Sequence, residues 1–286
     1  MPRPTKRPTR AYENLDFLHS PDARALRILS EYIEPRSRFK HYKIEDTIIF
    51  FGSARTLPRD QAEKELAEAR AAEVGAAEVE AKAGDPARPE LKSAEYNLRM
   101  SAYYEATREL AGRLTAWSKG LEGTDRRFVV CSGGGPGIME AANRGASEAK
   151  GINVGLNISL PFEQAENPHI SRELIFEFHY FFMRKFWFAY LAKAVVVMPG
   201  GFGTLDELFE LLTLIQTQKI RKHMPVVLFG SSYWDEIINF EALADHGMID
   251  RADLDLLFRT DSVDEAYDYI TEQLETHSLG TPGPTL

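Results

Sequence analysis

Three turns in this sequence, two glycine-rich and one of small residues, carry residue types that suit phosphate binding and charge stabilisation. The strongest is Val195–Glu207, read as VVVMPGGFGTLDE. An apolar run ends at Met198, and Gly200, Gly201 and Gly203 let the backbone come close to a ligand. A helix starting near Thr204 would aim its free N–H groups and positive dipole end at the turn, which favours phosphate. Glu207 then has two readings. It is a carboxylate beside the ligand, or it closes an S/T-x-x-E capping box with Thr204. Spacing alone does not choose between them.

The second turn, Cys131–Asn143 (CSGGGPGIMEAAN), offers Gly134 and Gly135 to a ligand, or is a tight connection without one. It is not G-x-G-x-x-G and no acidic ribose ligand follows it, so a dinucleotide site is disfavoured. Neither turn contains G-x-x-x-x-G-K-[ST] either, which argues against a P-loop. The third turn, Phe51-Gly-Ser-Ala-Arg55, could bring Ser53 and Arg55 to the same edge, or be a plain loop. A fourth segment, Phe176–Tyr190, packs nine aromatic residues around Arg184 and Lys185. A guanidinium buried there must pair with a carboxylate or phosphate; the competing reading is a surface snorkel. Other chemistries lack their residues. No H-E-x-x-H spacing and a single cysteine, Cys131, speak against a metal site, and no G-x-S-x-G nucleophile elbow occurs.

Positioning these turns needs strands that end at one edge. Thr47–Phe51, Phe128–Cys131, Val154–Ile158, Leu174–Phe178, Ala194–Met198, Val226–Phe229 and Leu256–Arg259 read as strands, the clearest of them apolar throughout, as in a sheet covered on both faces. Between them run helical patterns such as Tyr103–Trp117, apolar at 103, 106, 110, 114 and 117. This alternation predicts a Rossmann-like α/β fold, with a parallel sheet of about seven strands and helices on both faces. Ligands of such sheets bind outside the carboxyl ends of the strands.

The domain is expected over 46–278, behind a tail and helical extension at 1–45 and before a short tail at 279–286. Within the extension, 11–43 is helical, with Leu26, Ile28, Leu29, Tyr32 and Ile33 as its apolar surface. An Ala/Glu-rich helical insertion is expected at 58–98, broken at Gly84-Asp85-Pro86 and again at Pro89. It reads as a solvated hairpin, or as an oligomer contact or lid.

The composition is that of a globular chain, 44% apolar and 27% charged. A net charge of −9 argues against a general nucleic-acid binder, which needs a basic face. The basic opening, with Arg3, Lys6, Arg7 and Arg10 among prolines, reads as a flexible tail or as a nucleic-acid- or anion-binding arm. Phe181–Met198, the most apolar region, is interrupted by Arg184, Lys185 and Lys193, so no membrane span is expected. No signal or transit pattern is evident, and one cysteine suits a reducing compartment; the expected location is cytoplasmic.

Pro199–Glu207 resembles the P-G-G-x-G-T-x-x-E motif of the Lonely Guy (LOG) family, the cytokinin riboside 5′-monophosphate phosphoribohydrolases, formerly labelled lysine decarboxylases. Arg184-Lys185 stands where that family has the R-K of M-H-x-R-K, and Gly133–Gly137 matches its other glycine-rich loop. The similarity covers about residues 46–275, the insertion excluded. Phe181-Phe182-Met183 departs from M-H-x and, with the helical additions, makes the chain similar to the longer bacterial type II branch; the departure bears on substrate preference. The resemblance implies cleavage of the N-glycosidic bond of nucleoside 5′-monophosphates, AMP or N6-modified cytokinin riboside monophosphates, to free base and ribose 5-phosphate. It implies Arg184 and Glu207 as catalytic residues. Gly200, Gly201, Gly203, Thr204, Lys185, Ser53, Arg55, Gly134 and Gly135 would bind substrate. It also implies no cofactor, no nucleic-acid or membrane partner, and a homo-oligomer built from dimers, with a hexamer as the larger assembly. The alternative is a non-catalytic nucleotide or cofactor carrier on the same fold.

Overall fold

The computed structural model describes residues 8–79, 87–121, 123, 126–161 and 167–284. In chain order these form α1 (Leu15–Leu18), α2 (Arg24–His41), β1 (Thr47–Phe51), α3 (Arg59–Val79), α4 (Ala87–Gly120), β2 (Val129–Ser132), α5 (Ile138–Glu148), β3 (Val154–Ile158), β4 (Ile175–Phe178), α6 (Phe181–Leu191), β5 (Ala192–Val197), α7 (Phe202–Gln216), β6 (Val226–Phe229), α8 (Ser231–Ile237), α9 (Phe240–Asp245), β7 (Leu257–Thr260) and α10 (Val263–His277), with short 3-10 turns between some of them. Among the described residues the seven strands make one parallel sheet in the order β4-β3-β2-β1-β5-β6-β7. The Rossmann-like reading therefore holds.

Alternate residues of the central strands serve two cores. Ile48, Phe50, Val130, Val196 and Val227 pack under α4, α5 and α10, with Leu110, Leu114, Ile138 and Ile270. Ile49, Phe51, Cys131, Val195 and Val197 pack on the other face, against Phe39 of α2, Trp187 and Phe188 of α6, and Leu208 and Leu211 of α7. Every residue of β1, β5 and β6 is buried, which is why most of their length reads as apolar runs. The chain winds outward from β1 through β2, β3 and β4, then returns to the far side of β1 as β5. The carboxyl ends of β1 and β5 thus flank the switch point where such sheets bind ligands.

One expectation about the helices changes. Pro89 does not break the insertion: it lies in the first turn of α4, where a proline's missing N–H has no helical partner to lose. Gly84-Asp85-Pro86 falls outside the described residues, as do Arg3, Lys6 and Arg7. α4 runs unbroken from the insertion into the helix that covers the sheet. α3 packs back on it, with Ala62, Leu66 and Ala94 buried and Asn97 donating to Glu65 at 3.1 Å.

β5 begins at Ala192, two residues before the apolar run suggests. Lys193 interrupts that run but is itself buried, 3.6 Å from the fully buried Asp46. Arg127 also pairs with Asp46 and donates to the Ser278 and Leu279 carbonyls. Lys193 donates to Thr281 O at 3.1 Å, and Gly283 N donates to Asp46 at 3.2 Å. The segment after 278 is therefore docked beneath the starts of β1, β2 and β5. No helix among the described residues is long and apolar enough to cross a membrane.

Candidate functional site

The two glycine-rich turns and the small-residue turn meet at the carboxyl ends of β1, β2 and β5. Ser53 N donates to Pro199 O at 2.9 Å, and Ile138 N donates to Ser53 O at 3.0 Å, so the third turn laces the other two together. Gly200 is needed for this approach: a methyl there would sit 2.1 Å from Thr204 Oγ1 and 3.0 Å from Ser53 N. Gly134 has φ +73°, and a methyl on it would fall 1.5 Å from Asn157 Oδ1.

α7 starts at Phe202, with Gly201 as its N-cap and no side chain capping it. This overturns the capping-box reading. Thr204 is already the third helical residue, so Glu207 lies beyond the first turn, too far along to reach the N-cap N–H. The free N–H groups of the first turn are left for an outside acceptor. Gly203 has open space where a methyl would go. Gly203→Ala is accordingly expected to leave the melting temperature unchanged or slightly raised, since alanine suits a helix better than glycine. If phosphate approaches this backbone, the same methyl should weaken nucleotide binding about tenfold or more. Unchanged affinity in a calorimetric titration would remove the turn from the binding site.

Arg184 of α6 and Glu207 of α7 come together in the second core, beside these turns. Arg184 Nη2 lies 3.4 Å from Glu207 Oε1, and their side chains are only 13% and 7% exposed. That contact is long for a charge-assisted bond, which usually closes below 3 Å. Arg184 Nε is buried without a hydrogen-bond partner. A methyl on Gly133 would lie 4.0 Å from Arg184 Nη1, so the guanidinium also borders the second turn. Burial pushes the Glu207 carboxyl up to about 7, against the opposing pull of Arg184 and Lys185. Burial likewise lowers Arg184, partly offset by Glu207 and Asp206. The pair is a desolvated carboxylate poised near neutrality next to an under-used guanidinium.

The other candidates divide. Gly134 N donates to Ser132 Oγ at 3.0 Å and Gly135 O accepts from Asn167 at 3.4 Å, which keeps the second turn in place. Ser53 spends its hydroxyl within its own turn, accepting from Arg55 N at 3.0 Å, and the Arg55 side chain is exposed. Lys185, expected among the substrate-binding residues, is turned along α7, 2.8 Å from Asp206 and 2.6 Å from Glu210.

Several contributors had no signature in the sequence. Ser132 Oγ donates to Asn143, whose amide donates to Asn153 at 2.9 Å, and Asn167 donates to Asn143 at 3.0 Å. This buried amide network underlies the second turn. Tyr233 donates to Gly200 O at 2.8 Å. Glu31, in the N-terminal extension, accepts from His179 N at 2.8 Å and Tyr180 N at 3.2 Å, and its carbonyl accepts from Trp187 Nε1 at 2.9 Å. It caps the start of the helix that bears Arg184, which has no side-chain cap of its own at Tyr180. Loss of that cap in Glu31→Ala should cost about 1 kcal/mol of stability. If Glu31 positions Arg184, the Glu207 carboxyl should also titrate higher, on the order of one pH unit. A lower melting temperature with an unmoved titration would make Glu31 structural only.

The fold and site together define a class, a Rossmann-like α/β protein with glycine turns and a buried Arg–Glu pair at its switch point. The family model described as possible lysine decarboxylase matches residues 139–270, which include Arg184-Lys185 and Pro199–Glu207. The resemblance to the Lonely Guy family is thereby shown over this segment. None of the curated proteins matches the chain. Among solved structures, TM1055, a structural genomics target, is 22% identical, with 79% of this chain and 99% of that chain covered and a TM-score of 0.48. The Moco carrier protein of Chlamydomonas reinhardtii is 18% identical, with 81% and 99% covered and a TM-score of 0.43. The molybdenum cofactor binding protein of Rippkaea orientalis is 21% identical, with 60% and 86% covered and a TM-score of 0.38. At these identities the chemistry of this chain has to come from its own residues.

Proposed function

We propose that this chain hydrolyses the N-glycosidic bond of nucleoside 5′-monophosphates, AMP or its N6-substituted relatives, to free base and ribose 5-phosphate. The observation that carries this reading is the buried Arg184–Glu207 pair, 3.4 Å apart, beside an uncapped helix start. The first-turn N–H groups of α7 and Thr204 hold the 5′-phosphate, as helix starts do for anions. The ribose then lies over Glu207. As the bond from C1′ to the base nitrogen breaks, positive charge builds on the sugar, and an ionised carboxylate in a dry site stabilises it strongly. Water adds to C1′ and gives up a proton, while the base leaves with the electron pair of the broken bond and takes up a proton. Arg184 offers its unpaired Nε, and the Nη1 that borders the second turn, to substrate oxygens, and its charge favours the ionised form of Glu207 against burial.

Incubation of the purified protein with AMP and with an N6-substituted analogue, followed by chromatography, tests the proposal. Free base should appear with either or both. Nucleotide that binds and is recovered intact on denaturation would replace hydrolase with carrier.

The reading includes a homo-oligomer built from dimers. Phe181, Phe182 and Phe202 are 49%, 55% and 92% exposed beside the site, and Phe202, Leu205, Phe209 and Leu214 line a groove along α7. Apolar surface of this kind marks contact regions. Light scattering should give at least twice the 32.3 kDa of one chain. A fully active monomer would reject the assembly.

A further inference from the structure

A second cavity, of about 540 Å³, opens where the carboxyl ends of β6 and β7 meet the middle of α4. That volume falls within the usual range for small-molecule sites. Its wall comes largely from the α4 face of the sheet, whereas Arg184 and Glu207 stand on helices of the opposite face. Four rings line it: Tyr96, Tyr103, Phe229 and Tyr233. Tyr103 meets Phe229 edge to face at 6.4 Å, and the Arg99 guanidinium stands 5.7 Å from the Tyr96 ring. Glu236 and Asp261 complete the rim, and Asp261 Oδ1 accepts from Ser231 N at 2.8 Å.

The lining selects a chemistry. Ring faces favour a flat ligand that stacks, as bases do on aromatic side chains. Two carboxylates against one guanidinium favour a ligand that donates N–H groups and disfavour an anion. Tyr233 supplies a link, because its hydroxyl donates to Gly200 O in the phosphate-type turn.

We propose that this cavity is a second ligand site, for a planar nitrogen heterocycle bearing an amino group and of the size of a free purine, and that its occupancy is felt at the Pro199–Glu207 turn through Tyr233. The ligand class follows from the cavity itself; only the coupling rests on the turn's binding phosphate. Under the proposed activity such a compound is the released product, so the site would let free base tune the turn that holds the substrate.

Calorimetric titration of adenine into the full-length protein tests this without any turnover. Adenine should bind the wild type and also the Arg184→Ala and Glu207→Ala variants. Tyr103→Ala should weaken binding about tenfold, the usual loss for one stacking ring. Tyr96→Ala, at a half-exposed position that threatens the fold less, should weaken it in the same direction. Benzoate, flat but anionic, should not bind. Tyr233→Phe should keep adenine affinity while abolishing adenine's effect on the affinity for ribose 5-phosphate. Absence of adenine binding, indifference to both tyrosine truncations, or equal binding of benzoate would overturn the site. Loss of adenine binding in Arg184→Ala would overturn it by assigning adenine to the first site. An adenine site without influence on ribose 5-phosphate in the wild type would overturn the coupling.

Discussion

Glu207→Ala is expected to lower base release from AMP by roughly 100-fold or more, the scale of losing about 3 kcal/mol of transition-state stabilisation. The fold should survive, because Glu207 caps nothing: α7 starts at Phe202 and Gly201 has no side-chain cap. The pH dependence adds a second check. The carboxyl sits at about 7, above the ordinary 4.5, with burial as the main cause. If the ionised form stabilises the sugar cation, kcat/KM of the wild type should rise with pH to a midpoint near that value. For stability the sign is opposite. A carboxyl raised in the folded state contributes stability that is present below its unfolded value and lost as pH climbs through the folded one. Wild-type stability should thus decline between about 4.5 and 7 for this reason, and Glu207→Ala should show less of that decline. Near-normal turnover with an earlier melt would return Glu207 to a structural role.

Arg184→Ala is expected to lose activity on a similar scale, on the order of 100-fold, by two routes that one substitution combines. It removes the guanidinium that meets substrate oxygens, and it strips a buried carboxylate of its nearest cation, 3.4 Å away. Glu207 should then titrate higher still and be largely protonated at neutral pH. Arg184→Lys tests which route dominates. Lysine restores charge near Glu207 but not the planar fork that engages two oxygens, so the acid limb should recover while turnover stays well below wild type. Full activity in the lysine variant would reduce the role of Arg184 to its charge.

The strands were legible because the central ones, β1, β2, β5 and β6, are buried on both faces and so repeat apolar, mostly β-branched and aromatic residues over most of their length. The start of β5 was not, since Lys193 looks like a break until Asp46 and the docked C-terminal segment give it partners. The first turn of α7 was hidden for a related reason. Phe202-Gly203 has poor helix propensity, and the helix begins there because the three turns pack together. Arg184 and Glu207 were legible from their motif, but which way Lys185 points depends on the register of α6 against α7, which local spacing does not contain. Glu31 left no trace at all. The amides it caps lie 148 and 149 residues further on, and only the packing of α2 on α6 brings them together.

Phosphorus NMR of the wild-type protein mixed with AMP measures the central claim most directly. Glycosidic hydrolysis converts the AMP resonance into that of ribose 5-phosphate, with an equal amount of adenine in solution and no inorganic phosphate; the Glu207→Ala sample should leave AMP unchanged over the same period. An AMP signal that shifts or broadens on binding yet persists would mark a carrier, and inorganic phosphate in place of ribose 5-phosphate would mark cleavage of the other bond. Either result would contradict the assignment of Arg184 and Glu207 to the N-glycosidic bond.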